Sequence, residues 1–517
     1  MKLSEIRELI RLARRFQLEK TTHFDLYTIK KNYPKASQLL TAIESGHFNT
    51  DAELLHIIYG NDGDPNNYRF LKSHTSSQLL DLFFHPKVFE SIQAPVTRAT
   101  LIAHKQYTLS ALFQSLGNRG VSNAVANKSL RLAEQYQLNS IAIELLEQAR
   151  YQAVLRGNTV AYKKYDSILF KKLKVLKDEM VIYSIDYELR LHHVTRLTLD
   201  TKLVSTIDSF IQKSQEISAR NKNQFRIKTT AYRIYYMCYQ LKGDLHRSLE
   251  SCKEAVEYVK GNKIFGTASR VGEFAGYEFE TCLLLRDYTN GIEAAQLCEE
   301  SLIYGSNGWF NFKNNQFLFG MQTEQFALAD HCLNEMFAHP RLSVQLQHLR
   351  ERWDIFRLYS DYVKWVTEQE ASDGKKHPAP GLLRYKRYKD IVKRFPSYHK
   401  DKSGFNVAIL LLNIMLLLES ERYDEIIEQM ESLNTYRTRY LRNTGTNQMA
   451  ILFKLLRIVA SKDFDYDRVM RACKKYEAQL IKVHQSAQEM NEGLQVLSPI
   501  WIWNRILTIL EYRSGRY

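Results

Sequence analysis

The stretch GDLHRSLESCKEAVEYVKG, residues 243–261, contains the pattern that decides the fold. A Gly-Asp pair, which is typical of a turn, precedes a segment in which the small residues Ser248, Cys252 and Ala255 have the spacing i, i+4 and i+7. Residues with this spacing share one face of an α-helix. The stretch therefore predicts a turn followed by a helix that packs on its neighbours through small side chains.

The same face recurs along the chain at a nearly constant interval. The copies begin at Ala161, Leu203, Ser248, Gly291 and Ala329. The fourth copy continues with Ala295 and Cys298, and a further copy begins at Ile426 after a longer interval. One amphipathic helix offers such a face by chance. Five consecutive copies about forty residues apart indicate stacked helical hairpins, because each interval accommodates two helices and a turn.

These residues resemble the tetratricopeptide-repeat family. Gly243, Asp244 and Leu245, with the small face that follows them, keep that family's order of glycine, acid or amide, apolar and small positions. The copy at Arg286 and Asp287 lacks the glycine, and the interval exceeds the family's 34 residues. The chain looks like a divergent version with long helices, and HEAT and armadillo repeats remain alternatives. The resemblance implies a right-handed α-α solenoid of stacked hairpins that binds a protein or peptide in its groove, without catalysis.

Composition places the whole chain in the same fold class. The chain has 517 residues, of which 44% are hydrophobic and 25% charged, as is typical of globular proteins. Nine prolines and 21 glycines are few for this length, which favours long helices over strands and turns. We therefore expect an all-α protein.

The interval also suggests four parts. We expect a helical N-terminal module in residues 1–95, a repeat array in 96–370, a basic insertion with an amphipathic helix in 371–402, and further repeat helices with a capping helix in 403–517. The last helix contains Trp501 and Trp503 among isoleucines. Such an apolar helix either folds back as a cap or contacts a second copy in an oligomer.

In residues 60–67 a calcium-type loop lacks the glycine and the closing acid that calcium requires, so we expect a turn before a helix.

A formal net charge of +15 favours a polyanionic partner, although it also serves solubility. In residues 375–402, Tyr385, Tyr388 and Phe395 share one helical stripe with Leu382 and Val392, so they cannot also stack on bases. The basic side chains lie on the opposite face, and a second cluster follows residue 160. The candidate basic surface consists of Lys386, Arg387, Lys393, Arg394, Lys400, Lys402, Lys163, Lys164, Lys171 and Lys174. It is interpreted either as a solvated face or as a surface that contacts phosphates.

The remaining patterns exclude several classes of function. The six cysteines have no CxxC pair or metal-ligand spacing, so we expect buried free thiols in a reducing compartment and no metal site. No motif of a hydrolase, kinase, nucleotide-binding loop or metalloprotease is present, so we expect neither catalysis nor a cofactor. The longest uncharged run, residues 403–418, is shorter than the roughly 20 residues of a membrane span, so we expect a buried core helix and a cytoplasmic protein.

The function predicted from these patterns is that of a non-catalytic scaffold or regulator. It would bind a protein or peptide partner in the groove of a helical-repeat array. The alternative is a nucleic-acid-associated protein whose basic helices bind phosphates.

Overall fold

The computed structural model describes residues 1–15, 34–48, 50–92, 94–195, 201–344, 347–371, 405–440, 448–485 and 495–514. Every regular element in these ranges is a helix, so the all-α prediction is confirmed for them. Contacts divide the chain into a first unit, Met1–Leu176, and a second unit, Lys177–Tyr517. The division falls within one long helix, α9, which contributes residues to both units.

The first unit contains eight helices and the start of a ninth in its described residues. They are α1 (Leu3–Arg15), α2 (Pro34–Ser45), α3 (Asp51–Tyr59), α4 (Pro65–Leu82), α5 (Pro86–Glu90), α6 (Pro95–Ser115), α7 (Arg119–Gln135), α8 (Asn139–Leu155) and the start of α9 (Thr159–Thr195). One core cluster joins α1 to α5 and includes Ile6, Leu39 and Ile58, whereas another joins α6 to α8 and includes Ala103 and Leu145. The helices of this unit therefore pack in two local groups.

The expected turn before a helix in residues 60–67 is confirmed. Gly60 ends α3 with a positive φ of 78°, and α4 begins at Pro65. The Asp64 side chain accepts a hydrogen bond of 2.9 Å from the Asn66 amide. This bond satisfies one of the amide donors left open at the start of a helix.

The second unit continues from α9 to the C-terminus. Its helices are α10 (Thr201–Arg220), α11 (Phe225–Leu241), α12 (Leu245–Lys260), α13 (Ala268–Leu285), α14 (Tyr288–Ser301), α15 (Asn307–Gln322), α16 (Phe326–Ala338), α17 (Gln347–Ala371), α18 (Phe405–Glu419), α19 (Tyr423–Tyr440), α20 (Gln448–Ser461), α21 (Tyr466–Gln485) and α22 (Pro499–Arg513), with a short 3-10 helix at Pro340–Val344. Each helix from α10 to α13 packs against the next one in the chain, and α13 also contacts α15.

The turn between α11 and α12 is built from the Gly-Asp pair of the sequence motif. Gly243 has a φ of 76°, which a residue without a side chain adopts easily, and Asp244 accepts a hydrogen bond of 3.2 Å from the Arg247 amide. Between α13 and α14 Arg286 takes the left-handed conformation in place of glycine, with a φ of 58°. The same turn is therefore made by two different sequences.

The interval of about forty residues corresponds to hairpins in one part of the chain and to a single helix in another. Hairpins begin at Phe225, Ala268 and Asn307, which are 43 and 39 residues apart. The interval from Ala161 to Leu203, however, is largely filled by α9, which is 37 residues long. No glycine or proline occurs between residues 158 and 242, so nothing in the sequence interrupts this helix.

The C-terminal helices share one large apolar core. It extends from Trp309 to Leu510, and it contains nearly all apolar side chains of α18 from Val407 to Leu418. The expected buried core helix is therefore confirmed. Among the residues that the structure describes, no helix has the length and apolar character needed to cross a membrane.

The last helix, α22, folds back on its own unit. Ile502, Trp503 and Ile506 are buried, and the Trp503 indole donates a hydrogen bond of 3.1 Å to Glu477 on α21. Arg505 pairs with Glu419 at 2.8 Å. The apolar face of this helix is therefore covered within the chain, whereas a cap on a repeat array and an oligomer contact both stay predictions. An oligomer contact through it would use outward side chains only.

All six cysteines lie in the second unit. Each one is buried and free, as expected from their apolar positions.

Candidate partner-binding surface

Partly exposed side chains follow one side of the helices α11, α13 and α15, in a set that we call the polar ladder. On each helix they recur at steps of three, four or seven residues, so they share one helical face. The members are Arg226, Arg233, Met237 and Gln240 on α11, Arg270, Glu273, Tyr277, Glu280 and Leu284 on α13, and Asn311, Asn314, Leu318 and Gln322 on α15. Because most other side chains of these helices are buried, the polar ladder is a side on which they can contact another molecule.

A network of charged side chains forms the base of the polar ladder. Arg233 donates two hydrogen bonds to the carboxylate of Asp186 on α9, at 2.7 and 2.9 Å. A third bond of 3.3 Å joins Arg233 to Glu273 on α13. The guanidinium therefore ties three helices together through a planar, forked geometry that two carboxylates can both use.

This network is fixed by burial. Asp186 is only 1% exposed, so its charge has to be compensated by a partner inside the fold. Burial alone would lower the pKa of Arg233, but its hydrogen bond to Asp186 and the negative charges of Asp186 and Glu273 together outweigh this effect and hold the pKa above its ordinary value. The guanidinium thus stays charged, and the relative register of α9, α11 and α13 is specified.

Tyrosine hydroxyl groups add neutral donors along the polar ladder. Tyr277 donates to Glu273 at 3.3 Å, and its ring stacks on Tyr236 with centroids 4.5 Å apart. On α9, Tyr183 donates to Glu179 at 3.0 Å. Burial raises the pKa of both Tyr183 and Tyr277 above the ordinary value, so both phenols remain protonated at neutral pH.

An apolar stripe on α9 lies beside this network. Met180, Tyr187 and Leu191 have the spacing i, i+7 and i+11, and each is more than 60% exposed. Arg190 lies next to the stripe, half exposed, with its guanidinium 3.1 Å from Asp186. Tyrosine and arginine are enriched among the residues that dominate binding energy at protein interfaces. We call Met180, Tyr187, Arg190 and Leu191 the α9 stripe.

The other end of the polar ladder consists mainly of amides. Asn311 is exposed on α15, and Asn314 accepts a hydrogen bond of 3.3 Å from Arg352 on α17. Gln322 donates to the carbonyl of Gln495 at 2.7 Å, so the segment before α22 borders this end. Side-chain amides both donate and accept, which is the pairing capacity of a peptide backbone.

The candidate basic residues differ in where they lie. Lys163, Lys164, Lys171 and Lys174 are exposed on α9 and span about 100° of its circumference. Within the described part of the chain, none of these four has an ion-pair partner. The other candidates, Lys386, Arg387, Lys393, Arg394, Lys400 and Lys402, lie outside the described residues.

The residues expected to pack between repeats lie mostly inside. Ser248, Cys252 and Ala255 are buried on α12, and the Ser248 hydroxyl donates to the Tyr236 carbonyl at 3.2 Å. The other buried members are Gly291, Cys298 and Ala329. Ala295 is only partly buried, because its neighbour Ala294 points into the core instead. Gly243 is exposed in the turn.

Sequence reasoning missed the network of Asp186, Arg233 and Glu273. The three residues are 47 and 40 positions apart, so no local motif contains them. These separations are close to the repeat interval, and a search for opposite charges one interval apart would have found them. Within the part of the chain that is described, no cluster of metal-ligating side chains occurs.

Comparison with known proteins assigns no family to the chain. No family model matches it, and no curated protein or solved structure does so either. A role for the polar ladder is therefore argued from its own side chains.

Proposed function

We propose that the chain is a non-catalytic scaffold that binds an extended segment of a protein partner across the α9 stripe and the polar ladder. The proposal includes a divergent tetratricopeptide-like solenoid, whose odd-numbered helices α9 to α15 line the groove. The observation that carries it is the continuity of partly exposed side chains over these helices, joined by the bonds of Arg233 to Asp186 and Glu273. A surface held by buried ion pairs is organised before the partner arrives, which lowers the entropic cost of binding.

The chemistry of the surface indicates what the partner segment contains. The exposed Met180, Tyr187 and Leu191 offer contacts for one or two apolar side chains. Arg190 beside them favours a carboxylate, since a forked guanidinium pairs well with it. The amides of Asn311 and Asn314 suit the polar backbone of an extended segment. We therefore expect a peptide with an apolar anchor next to an acidic residue.

The test is selection from a displayed library of random peptides on the full chain. Bound peptides are then measured by fluorescence anisotropy with the wild type and with the double variant Tyr187→Ala, Leu191→Ala. Loss of two central contacts is expected to weaken binding about tenfold or more. The matched control is Ile292→Ala, Ile303→Ala, which removes exposed side chains of the same unit away from the α9 stripe.

Peptides that share an apolar and acidic pattern, and that bind the control but not the double variant, would support the proposal. Recovery of peptides whose affinity is the same for all three proteins would contradict it. A turnover activity found with the wild type would contradict the non-catalytic part.

A second candidate function is binding of nucleic-acid phosphates. The observation that favours it is the set of exposed lysines without ion-pair partners on α9, together with the high positive charge. Affinity for a duplex should then fall steeply as salt increases, because bound lysines release counterions from the phosphates. Replacing Lys163, Lys164, Lys171 and Lys174 by Glu should abolish this salt-sensitive binding, and unchanged binding would exclude this version.

A further inference from the structure

Large apolar side chains are exposed together at one end of the helices α6 to α9. They lie at the C-terminal ends of α6 and α8, at the first turns of α7 and α9, and around the turns that join them. We call this set the hairpin-end patch, and its members are Leu112, Leu116, Val121, Tyr151, Val154, Leu155, Val160 and Tyr162. All of them belong to the first unit.

Hydrogen bonds show that these segments meet. Gln148 on α8 donates to Ser110 and to Gln114 on α6, at 2.8 and 2.9 Å, and lies 3.0 Å from the hydroxyl of Ser122 on α7. On the other side, Arg150 of α8 reaches Asp166 of α9 at 2.8 Å. Each apolar residue of the patch lies within about two helical turns of one of these contacts along its own helix or the adjoining turn. They therefore form one patch instead of scattered positions.

The patch residues protrude from the fold. Val160 is 82% exposed, Leu116 is 69% exposed and Val154 is 55% exposed. Isolated exposed apolar side chains are normal on protein surfaces, but a contiguous set marks an interaction site. Side chains that project from turns do not form a groove that would seat a helix. They suit a deformable apolar surface into which they can insert.

The charges around the patch are positive and uncompensated. Arg119, Arg156, Lys163 and Lys164 are exposed at the same turns and helix starts. The nearby acids Glu147 and Asp166 are both paired with Arg150, at 2.6 and 2.8 Å. An approaching anionic surface would thus meet cations without a competing free carboxylate from this pair.

We propose that the hairpin-end patch binds the surface of an anionic lipid bilayer. Apolar side chains inserted at the boundary of head groups and acyl chains, with cations at the rim that pair with lipid phosphates, are the two contributions that hold interfacial proteins on membranes. Nucleic acid would use the cations but not the exposed apolar side chains, which favours lipid. The inference is independent of the polar ladder, since it concerns other residues.

The experiment is co-sedimentation of the full chain with vesicles of phosphatidylcholine alone or mixed with phosphatidylserine. Binding is expected only to the mixed vesicles, with a decrease at high salt. The triple variant Leu116→Ser, Val154→Ser, Val160→Ser is expected to bind about tenfold more weakly or worse, because it removes inserted apolar area. Lys163→Glu with Lys164→Glu is expected to weaken binding to the mixed vesicles as well.

Two controls separate the patch from other causes. Phe70→Ser removes another exposed apolar side chain, on α4, and should bind as the wild type does. The variant Tyr187→Ala, Leu191→Ala should also bind normally, so failure of the peptide proposal would not affect this result. Because the three patch positions are exposed, circular dichroism should show the triple variant folded.

The inference is overturned by absence of binding to any vesicle, or by equal binding of the triple variant and the wild type. It is also overturned if a DNA or RNA duplex binds this face while vesicles do not. In that case binding of the duplex would depend on Lys163 and Lys164 and not on the apolar residues.

Discussion

The two units differ in what they leave exposed, although the described residues of both are almost entirely helical. In the second unit the polar ladder carries charges that are paired through Arg233, and the helices from α15 onward share a continuous apolar core. The first unit is the shorter one, yet it exposes most of the large apolar side chains that are accessible on the described residues. Exposed apolar area does not stabilise the unit that carries it. The difference is the basis of the two proposals, in which the second unit binds a peptide and the first contacts a lipid surface.

The largest difference between the units is expected when one large side chain is removed from each. Trp503→Ala should lower the free energy of unfolding of the second unit by about 3–5 kcal/mol, because it leaves a cavity in the core. Leu116→Ser in the first unit should change stability by no more than about 0.5 kcal/mol. All five tryptophans lie in the second unit, so urea unfolding followed by tryptophan fluorescence reports on it, whereas circular dichroism reports on both. Equal effects would refute the contrast.

Charge pairs give the next largest difference. Asp186→Ala should lower the free energy of unfolding by about 3 kcal/mol, because Arg233 is almost buried and would lose its main partner. Asp166→Ala removes one of the two acidic partners of Arg150, in a pair whose side chains are both between a quarter and a third exposed, and it should lower the free energy of unfolding by less than about 1 kcal/mol. Urea unfolding of both variants by circular dichroism measures the two costs. Similar costs would mean that the network of the polar ladder is not more rigid than a surface pair.

Substitution of one glycine in each unit tests the same difference at the backbone. Gly117 and Gly305 both have a positive φ, of 75° and 71°, so alanine is strained at either position. At Gly117 a Cβ atom would meet nothing within 4 Å, whereas at Gly305 it would clash with Nε2 of His339. Gly305→Ala should therefore destabilise its unit by about 2 kcal/mol more than Gly117→Ala destabilises the first unit.

The side chain of His339 cannot move away from a Cβ atom at position 305, because its ring is held by its surroundings. Its ring is packed against Tyr304 and Trp309, with centroids 4.6 and 5.3 Å away, and Nδ1 accepts a hydrogen bond of 3.1 Å from the Arg341 amide. Thermal melts of the two glycine variants measure the difference. Equal shifts in melting temperature would show that this aromatic cluster repacks freely.

The smallest expected effect is a pH dependence in the second unit. Burial, with the positive charge of Arg286, lowers the pKa of His484 below its ordinary value of about 6.5. The unfolded chain therefore binds this proton more readily, and the stabilising contribution is present above pH 6.5 and is lost as pH falls through the lower, folded-state pKa. His484→Gln should weaken the loss of stability in acid. His56→Gln, at an exposed position of the first unit, is the control that should follow the wild-type curve.

Local spacing was sufficient to predict the class of fold and the packing of α12. Ser248, Cys252 and Ala255 lie on one buried face, because small side chains at helical spacing allow close approach of another helix. The same argument did not distinguish Ala294 from Ala295, since adjacent alanines are 100° apart and either can face a core. The repeat interval also implied a helical hairpin in the region where α9 is one continuous helix. An interval between similar faces does not show where a turn lies.

The candidate surfaces were harder to predict for a different reason. The basic clusters are visible as composition, whereas the network of Asp186 and Arg233 depends on which helices become neighbours. Likewise, the hairpin-end patch combines residues from four helices, and an exposed leucine has the same sequence signature as a buried one. Such properties arise from tertiary packing. In a single sequence they are visible only as pairs of residues that lie far apart along the chain.

The burial of the six cysteines makes the folded chain a convenient object for site-directed labelling. Burial raises the pKa values of Cys238, Cys282, Cys298 and Cys332 to about 12, that of Cys473 to about 11, and that of Cys252 well above its ordinary value. Reaction with maleimides requires an accessible thiolate, which these residues do not provide at neutral pH. A cysteine introduced at the exposed position of Val160 would therefore be labelled selectively without removal of any native thiol. An environment-sensitive dye at that position would report, by its emission, the polarity that the hairpin-end patch encounters.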